Sequence, residues 1–156
     1  TRLQGDWSSD VCSSDLEMRA LGASFAAQLR IGDLIVLDGP IGAGKTALTQ
    51  GIAAGLGISG VTSPTFVIAR THQGAIPLIH VDAYRLLDSN NRRFEFDDLD
   101  LDTNRENAIT VIEWGGSLAP LLDSDFFQIT IEFGEGEDER ILNETAHGPR
   151  WHGVTL

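Results

Sequence analysis

The chain of 156 residues holds a single lysine, and that lysine sits in a glycine-rich stretch, DGPIGAGKTA. Gly39-Pro40-Ile41-Gly42-Ala43-Gly44-Lys45-Thr46 fills every fixed position of the pattern G-x-x-x-x-G-K-[ST]. These residue types suit one task. Successive backbone N–H groups turn inward around an anionic phosphate, and glycine tolerates the dihedrals this requires. A helix starting at the loop's end adds its positive dipole end. Lys45 can then reach the β- and γ-phosphates of a nucleoside triphosphate, and the Thr46 hydroxyl can sit on Mg²⁺. The candidate nucleotide contacts are Gly39, Gly42, Ala43, Gly44, Lys45, Thr46 and Ala47, with ATP or ADP and Mg²⁺ as the expected ligands. A glycine turn that merely contains Lys and Thr is the bland alternative. The apolar run before the loop and the helical pattern after it argue against that alternative.

A phosphate loop of this kind works with a carboxylate that holds the metal or its waters and orients the attacking group. Such residues sit where buried strands end. Asp82 closes "IPLIHVD" and Glu113 closes "AITVIE", and spacing alone leaves open which of them touches the metal. Thr65, in Ser63-Pro64-Thr65, lies in the segment after the loop's helix. There it is either a switch-type hydroxyl facing the γ-phosphate or part of a Ser-Pro turn opening a strand. Trp114 follows Glu113, so strand alternation predicts it on the opposite side. His80, between two apolar neighbours, reads as packing. The four histidines and Cys12 have no zinc spacing. "FDDLDLDTNRE" lacks the glycine and the final glutamate of a calcium loop. The guanine-reading N-K-x-D motif is absent from the sequence.

The elements that would position these residues are legible in outline. The opening "TRLQGDWSSDVCSSDL" has no helical or strand period. Residues 1–15 therefore read as a non-native stretch or a flexible polar terminus, with order expected from Ser14. Ser14-Asp15-Leu16-Glu17 has the form of a capping box. Met18, Leu21, Phe25 and Leu29 follow at helical spacing to about Arg30. Leu34–Leu37 is wholly apolar, as in a strand buried on both faces. A second helix is expected from Lys45 to about Leu56, stopped by Gly57. Strands follow in "VTSPTFVIARTH", in "IPLIHVDAYRL" to about Asp82, and from Ala108 in "AITVIEW". Asp88–Asn104 reads as an acidic loop with room for a short helix. A short helix is expected over Leu118–Leu122. "FFQITIEF" alternates, with Phe127, Ile129, Ile131 and Phe133 on one face. Arg140–Thr145 pairs back as a hairpin. The order predicts a single α/β domain over residues 16–156: a three-layer P-loop NTPase fold with a mostly parallel central sheet and a C-terminal antiparallel hairpin.

Composition narrows the function classes. Hydrophobic residues make up 42%, which suits an ordinary globular core. Lys and Arg number 11 against 23 Asp and Glu, a net charge of −12. An acidic chain repels phosphate backbones at long range, so autonomous nucleic-acid binding is not expected. No apolar run approaches a membrane span, and no secretory signal pattern opens the chain. One cysteine excludes an intrachain disulfide and suits a cytoplasmic location.

Taken in order, GAGKT, "GLGI…VTSPTFVIA", "HVDAYRL" and "VIEW" resemble the TsaE (YjeE) family over about residues 17–133. The resemblance implies a small ATPase needed, with the TsaB and TsaD proteins, for the threonylcarbamoyladenosine modification of tRNA. ATP binding would let it dock on a TsaB–TsaD complex, hydrolysis would reset that complex, and tRNA would be met only indirectly. The family pattern places Lys45 on the phosphates, Thr46 and Glu113 at the magnesium, Asp82 at a position needed for hydrolysis, Thr65 in the switch-like segment and Trp114 in a pair implicated in activity. The chain departs from the pattern at Ala47 and Met18, where threonines are usual, and the polar N-terminal stretch stands in place of the family's first strand. Slow hydrolysis alone is expected, since the sequence offers no obvious internal arginine finger; Arg85 in the Y-R-L motif is the nearest candidate. Two rivals share the loop: a small-molecule or nucleoside kinase, with Arg92-Arg93 as its only adjacent arginine pair, and a nucleotide-sensing adaptor without turnover.

Overall fold

The computed structural model describes residues 7–62, 69–84 and 104–156. Its centre is a seven-stranded sheet: β1 (Trp7–Cys12), β2 (Leu34–Asp38), β3 (Ala69–His72), β4 (Leu78–Asp82), β5 (Ile109–Glu113), β6 (Phe126–Phe133) and β7 (Arg140–His147). The spatial order is β1-β7-β6-β2-β5-β4-β3. The inner four strands β6, β2, β5 and β4 run parallel. The outer pairs β1–β7, β7–β6 and β3–β4 are antiparallel. This is the expected α/β architecture, with the parallel strands at its centre.

β2 is parallel on both sides, to β5 and β6, and its first four residues are buried. Its two faces feed two cores. Ile35 and Leu37 pack with helices α1 (Asp15–Ala26) and α2 (Lys45–Gly55), while Leu34 and Val36 pack on the other side with Leu118 and Ala119 of the short α3 region (Ala119–Leu122). A continuous apolar run is therefore what this position demands. On the helical side Phe25 is fully buried with its ring 4.9 Å from that of Phe127. Burying such a side chain stabilises by about 1.5–3 kcal/mol.

The N-cap on α1 forms as its sequence indicates, the Ser14 hydroxyl accepting the Glu17 N–H at 3.1 Å, but the Glu17 carboxylate reaches one residue further back than a capping box requires and accepts the Ser13 N–H rather than that of Ser14. The helix ends at Ala26 rather than near Arg30, because tertiary partners claim the last turn. The Asp33 carboxylate accepts the Arg30 N–H at 2.7 Å, and Arg150 donates to the Gln28 carbonyl at 2.9 Å. Order also begins earlier than Ser14. Trp7–Cys12 is the edge strand β1, in register with β7 from Trp7↔Thr145 to Cys12↔Arg140. An edge strand is held by backbone pairing, which polar residues supply as well as apolar ones. Cys12 is buried in the core, whereas Val11 is exposed. Phe127, Ile129 and Ile131 of β6 are buried as predicted, but Phe133 is half exposed beneath the Arg140 guanidinium. The acidic stretch expected to be loop falls, but for Asn104, outside the described residues. Among the described residues, no helix is long and apolar enough to cross a membrane.

Candidate nucleotide-binding site

The glycine loop joins β2 to α2. Gly44 is the N-cap of α2 with φ 108°, in the left-handed region that side chains resist, and no side chain caps the helix. The helix N-terminus is thus left with uncapped N–H groups, the arrangement that receives an anion. Lys45 is buried at the helix start. Its ammonium donates to the carbonyls of Gly39 at 2.7 Å and Pro40 at 2.9 Å, and lies 3.9 Å from the centre of the Trp114 ring. Burial pushes this ammonium below the usual lysine range, and the carboxylates of Glu113, Asp82 and Asp38 pull it partly back up.

β4 and β5 end side by side, with Asp82 and Glu113 as Cα partners. Glu113 is 4% exposed. One of its oxygens, Oε1, lies 3.4 Å from the Thr46 hydroxyl, and the other, Oε2, accepts from His80 Nε2. Asp82 accepts the Tyr84 N–H at 3.0 Å. Trp114 packs against the apolar cluster on the far side of the sheet, as alternation predicts, but its backbone leaves the strand there. Its φ is 64°, a left-handed value costly for a bulky residue. That turn swings the ring over Lys45 and to 5.0 Å from the Tyr84 ring. The Trp114 N–H donates to the Leu37 carbonyl at 2.7 Å, and the Asp38 carboxylate accepts the Gly116 N–H at 3.3 Å. The turn after Glu113 is therefore pinned to the end of β2.

These groups line a cavity of about 510 Å³, within the range of small-molecule sites of about 300–1,000 Å³. Of the residues singled out from sequence, Gly42, Gly44, Lys45, Thr46, Ala47, Asp82, Glu113 and Trp114 line it. Gly39 and Ala43 stand behind: Gly39 offers its carbonyl to Lys45, and the Ala43 N–H closes the loop onto the Pro40 carbonyl at 3.1 Å. Thr65, Arg85, Arg92 and Arg93 lie outside the described residues. Met18 packs beneath Gly44; a Cβ on Gly44 would meet its Cε at 3.1 Å. Sequence reasoning missed His80, which touches Glu113 instead of merely packing. It also missed Asp15, Arg19 and Gln50, which line the cavity from α1 and α2. Arg19 donates to Gln50 at 3.1 Å. The period-2 match of His80 to Asp82 on β4 was the one available signal.

The residues present fit a magnesium nucleotide: an uncapped helix N-terminus, one buried ammonium, and a hydroxyl beside a buried carboxylate. With its central parallel strands and the loop between β2 and α2, the molecule has the P-loop NTPase fold. The chain belongs to the TsaE family. The family model described as threonylcarbamoyl adenosine biosynthesis protein TsaE matches residues 12–142. A Streptomyces coelicolor protein named tRNA threonylcarbamoyladenosine biosynthesis protein TsaE is 46% identical over 141 residues, 86% of this chain and 93% of that protein. The Bacillus subtilis protein of the same name is 38% identical over 138 residues, 86% of this chain and 83% of its own. The crystal structure of Bacillus subtilis YdiB superposes with a TM-score of 0.79 at 30% identity, covering 98% of this chain and 94% of that one.

Proposed function

We propose that this protein is the Mg²⁺-dependent ATP-binding and hydrolysing subunit of tRNA threonylcarbamoyladenosine synthesis, acting on a TsaB–TsaD complex. The observation that carries the reading is the convergence of Lys45, Thr46, Glu113 and Asp82 on one cavity at the uncapped start of α2. Lys45 would exchange the Gly39 and Pro40 carbonyls for β- and γ-phosphate oxygens. Thr46 and Glu113 would hold Mg²⁺, which when bound supplies neutralising charge to those oxygens. Asp82, beside Glu113 at the strand end, would orient the attacking water and take up its proton as the bond to the departing ADP breaks. Trp114 would hold the Lys45 ammonium against its ring face. The net charge of −12 favours reaching tRNA through protein partners rather than directly. Membership of the family supports the pathway.

The test is calorimetry of ADP and ATP with Mg²⁺ on the intact chain and on Lys45→Ala. Saturable binding is expected in the first and a loss of at least about tenfold in the second, the scale of a charge-assisted hydrogen bond. Phosphate release should then rise on adding TsaB and TsaD. Equal binding by both chains, or release indifferent to the partners, would overturn the reading.

A further inference from the structure

We propose that His80 is a positioning residue that locks the Glu113 carboxylate in the orientation needed to hold a divalent cation with Thr46. The inference rests on the nucleotide site proposed above. β4 and β5 run parallel with His80 opposite Val111 and Asp82 opposite Glu113. Residues two apart on a strand share a face, so His80 sits one step deeper than Asp82 on the side facing α2. Its ring is fully buried.

The two oxygens of Glu113 are divided between two donors. Oε2 takes the His80 Nε2–H, and Oε1 faces the Thr46 hydroxyl at 3.4 Å. A glutamate has three rotatable bonds, and a buried one without a second anchor can turn its carboxylate away from the metal hydroxyl. A hydrogen bond on the oxygen that does not face the metal removes that freedom, as outer partners do at metal sites generally. Because the carboxylate only accepts, the proton on the neutral ring must be at Nε2. The other nitrogen, Nδ1, is buried without a hydrogen-bond partner among the described residues. Here the one that is satisfied points at the site. Packing alone would be met by the apolar residues that surround it on β4, Leu78, Ile79 and Val81.

The experiment measures ADP affinity by calorimetry, with and without Mg²⁺, in the wild type, His80→Phe and His80→Gln. Phe keeps a ring of similar size without the donor, and Gln restores an N–H near the Nε2 position. In the wild type Mg²⁺ should strengthen ADP binding. In His80→Phe that gain should shrink by about tenfold or more, the usual effect of removing an outer partner, with metal-free affinity within about threefold of wild type; His80→Gln should recover most of the gain. An undiminished Mg²⁺ gain in His80→Phe overturns the proposal, and so does a His80→Gln protein as impaired as His80→Phe. A second readout needs no variant of His80. Imidazole ¹⁵N spectra of the wild type should show the proton at Nε2 and should shift more with Mg²⁺-ADP than with ADP alone. A proton at Nδ1, or equal shifts, overturns it. A wild type whose ADP binding ignores Mg²⁺ brings down the metal site itself, and that failure is visible before any variant is made.

Discussion

Helices α1 and α2 meet backbone to backbone, and Gly51→Ala tests how much the site depends on that closeness. A Cβ at Gly51 would lie 2.2 Å from the Arg19 carbonyl oxygen and 2.7 Å from the Arg19 Cα. Ordinary carbon–oxygen contacts begin near about 3.3 Å, so the helices must part by about 1 Å. The obstacle is main chain, which no rotamer change can move. Neighbouring turns interlock in the same way: a Cβ at Gly22 would meet the Leu48 carbonyl at 2.6 Å, and one at Gly55 the Ala23 carbonyl at 2.7 Å. Two effects oppose each other. Alanine is better than glycine in a helix by about 1 kcal/mol. Overpacking costs about 1–3 kcal/mol, and a gap of about 1 Å between the helices forfeits up to half of each dispersion contact along the seam. With backbone as the obstacle the upper end applies, leaving a net loss of about 2 kcal/mol and a Tm lower by about 4–8 °C for a chain of this size. The assay is thermal and urea unfolding of Gly51→Ala beside Ala54→Gly, an exposed position on the same helix that reports the propensity term by itself. Because Arg19 and Gln50 reach the cavity from the two helices, ADP affinity should fall as well. A Tm that rises would refute the reasoning, since propensity would then have won and the two backbones would not be in contact.

Asp82→Asn should separate binding from turnover: nucleotide affinity within about threefold of wild type, and partner-stimulated phosphate release down by about 100-fold or more, the scale of general-base loss; equal losses in both would place Asp82 in binding instead. Arg150 forms a two-point pair with Asp33, at 2.8 Å to each oxygen, and the side chains are 16% and 5% exposed. Arg150→Ala strands a buried carboxylate and should cost about 3 kcal/mol, a Tm drop of about 6–12 °C, read by calorimetric unfolding; a drop of a degree or less would show the pair to be idle. The Asp123 carboxyl lies below the usual carboxylate range: its partial burial opposes ionisation, but the Asp125 amide, the Arg105 guanidinium and the Ser124 amide outweigh it. A depressed carboxyl stabilises the fold fully above its unfolded pKa of about 3.9, and that contribution drains away as pH falls through the lower folded value. Urea midpoints from about pH 5 downward should therefore fall less steeply in Asp123→Asn than in wild type, and parallel curves would remove Asp123 from the acid transition.

Where a short stretch of chain decided its own conformation, the sequence was sufficient. The S-x-x-E box starts α1, the apolar LIVL run makes β2, and Gly57, at φ 78°, follows the end of α2. The misses share a cause in contacts far along the chain. β1 is a strand because β7 lies beside it, more than a hundred residues later, and its polar serines carry no period to announce this. Helix α1 stops early because Asp33 and Arg150 claim its last turn. The sequence pattern predicts no element for the tail, yet Pro149–Trp151 forms a 3-10 turn that seats a buried Trp151 ring 5.2 Å from Phe127.

The candidate site divides along the same line. Lys45, Thr46 and the glycines form one contiguous motif, so their chemistry could be read directly. Asp82 and Glu113 could be proposed as strand ends, but their meeting is a matter of register. That register pairs Asp82 with Glu113 and sets Val81 beside Ile112. A slip of one residue would turn His80 and Asp82 to the opposite face from Glu113. It would also pull Val81 out of the apolar layer it shares with Ile79, Val36 and Leu34. The hydrophobic pattern of β4 and β5 thus fixes the polar site as firmly as it fixes the core. Trp114 shows the opposite dependence. Alternation places it against the far-side cluster, where it packs, but its reach over Lys45 depends on a left-handed φ of 64° that cannot be foreseen from a Glu-Trp-Gly-Gly sequence that could equally have turned at Gly115. Holding a tryptophan in that conformation costs about 1–3 kcal/mol. Its ring nevertheless lies on the one buried ammonium of the phosphate loop. Strain at a residue that touches both Lys45 and Tyr84 marks the turn after β5 as part of the site rather than a mere exit from the sheet.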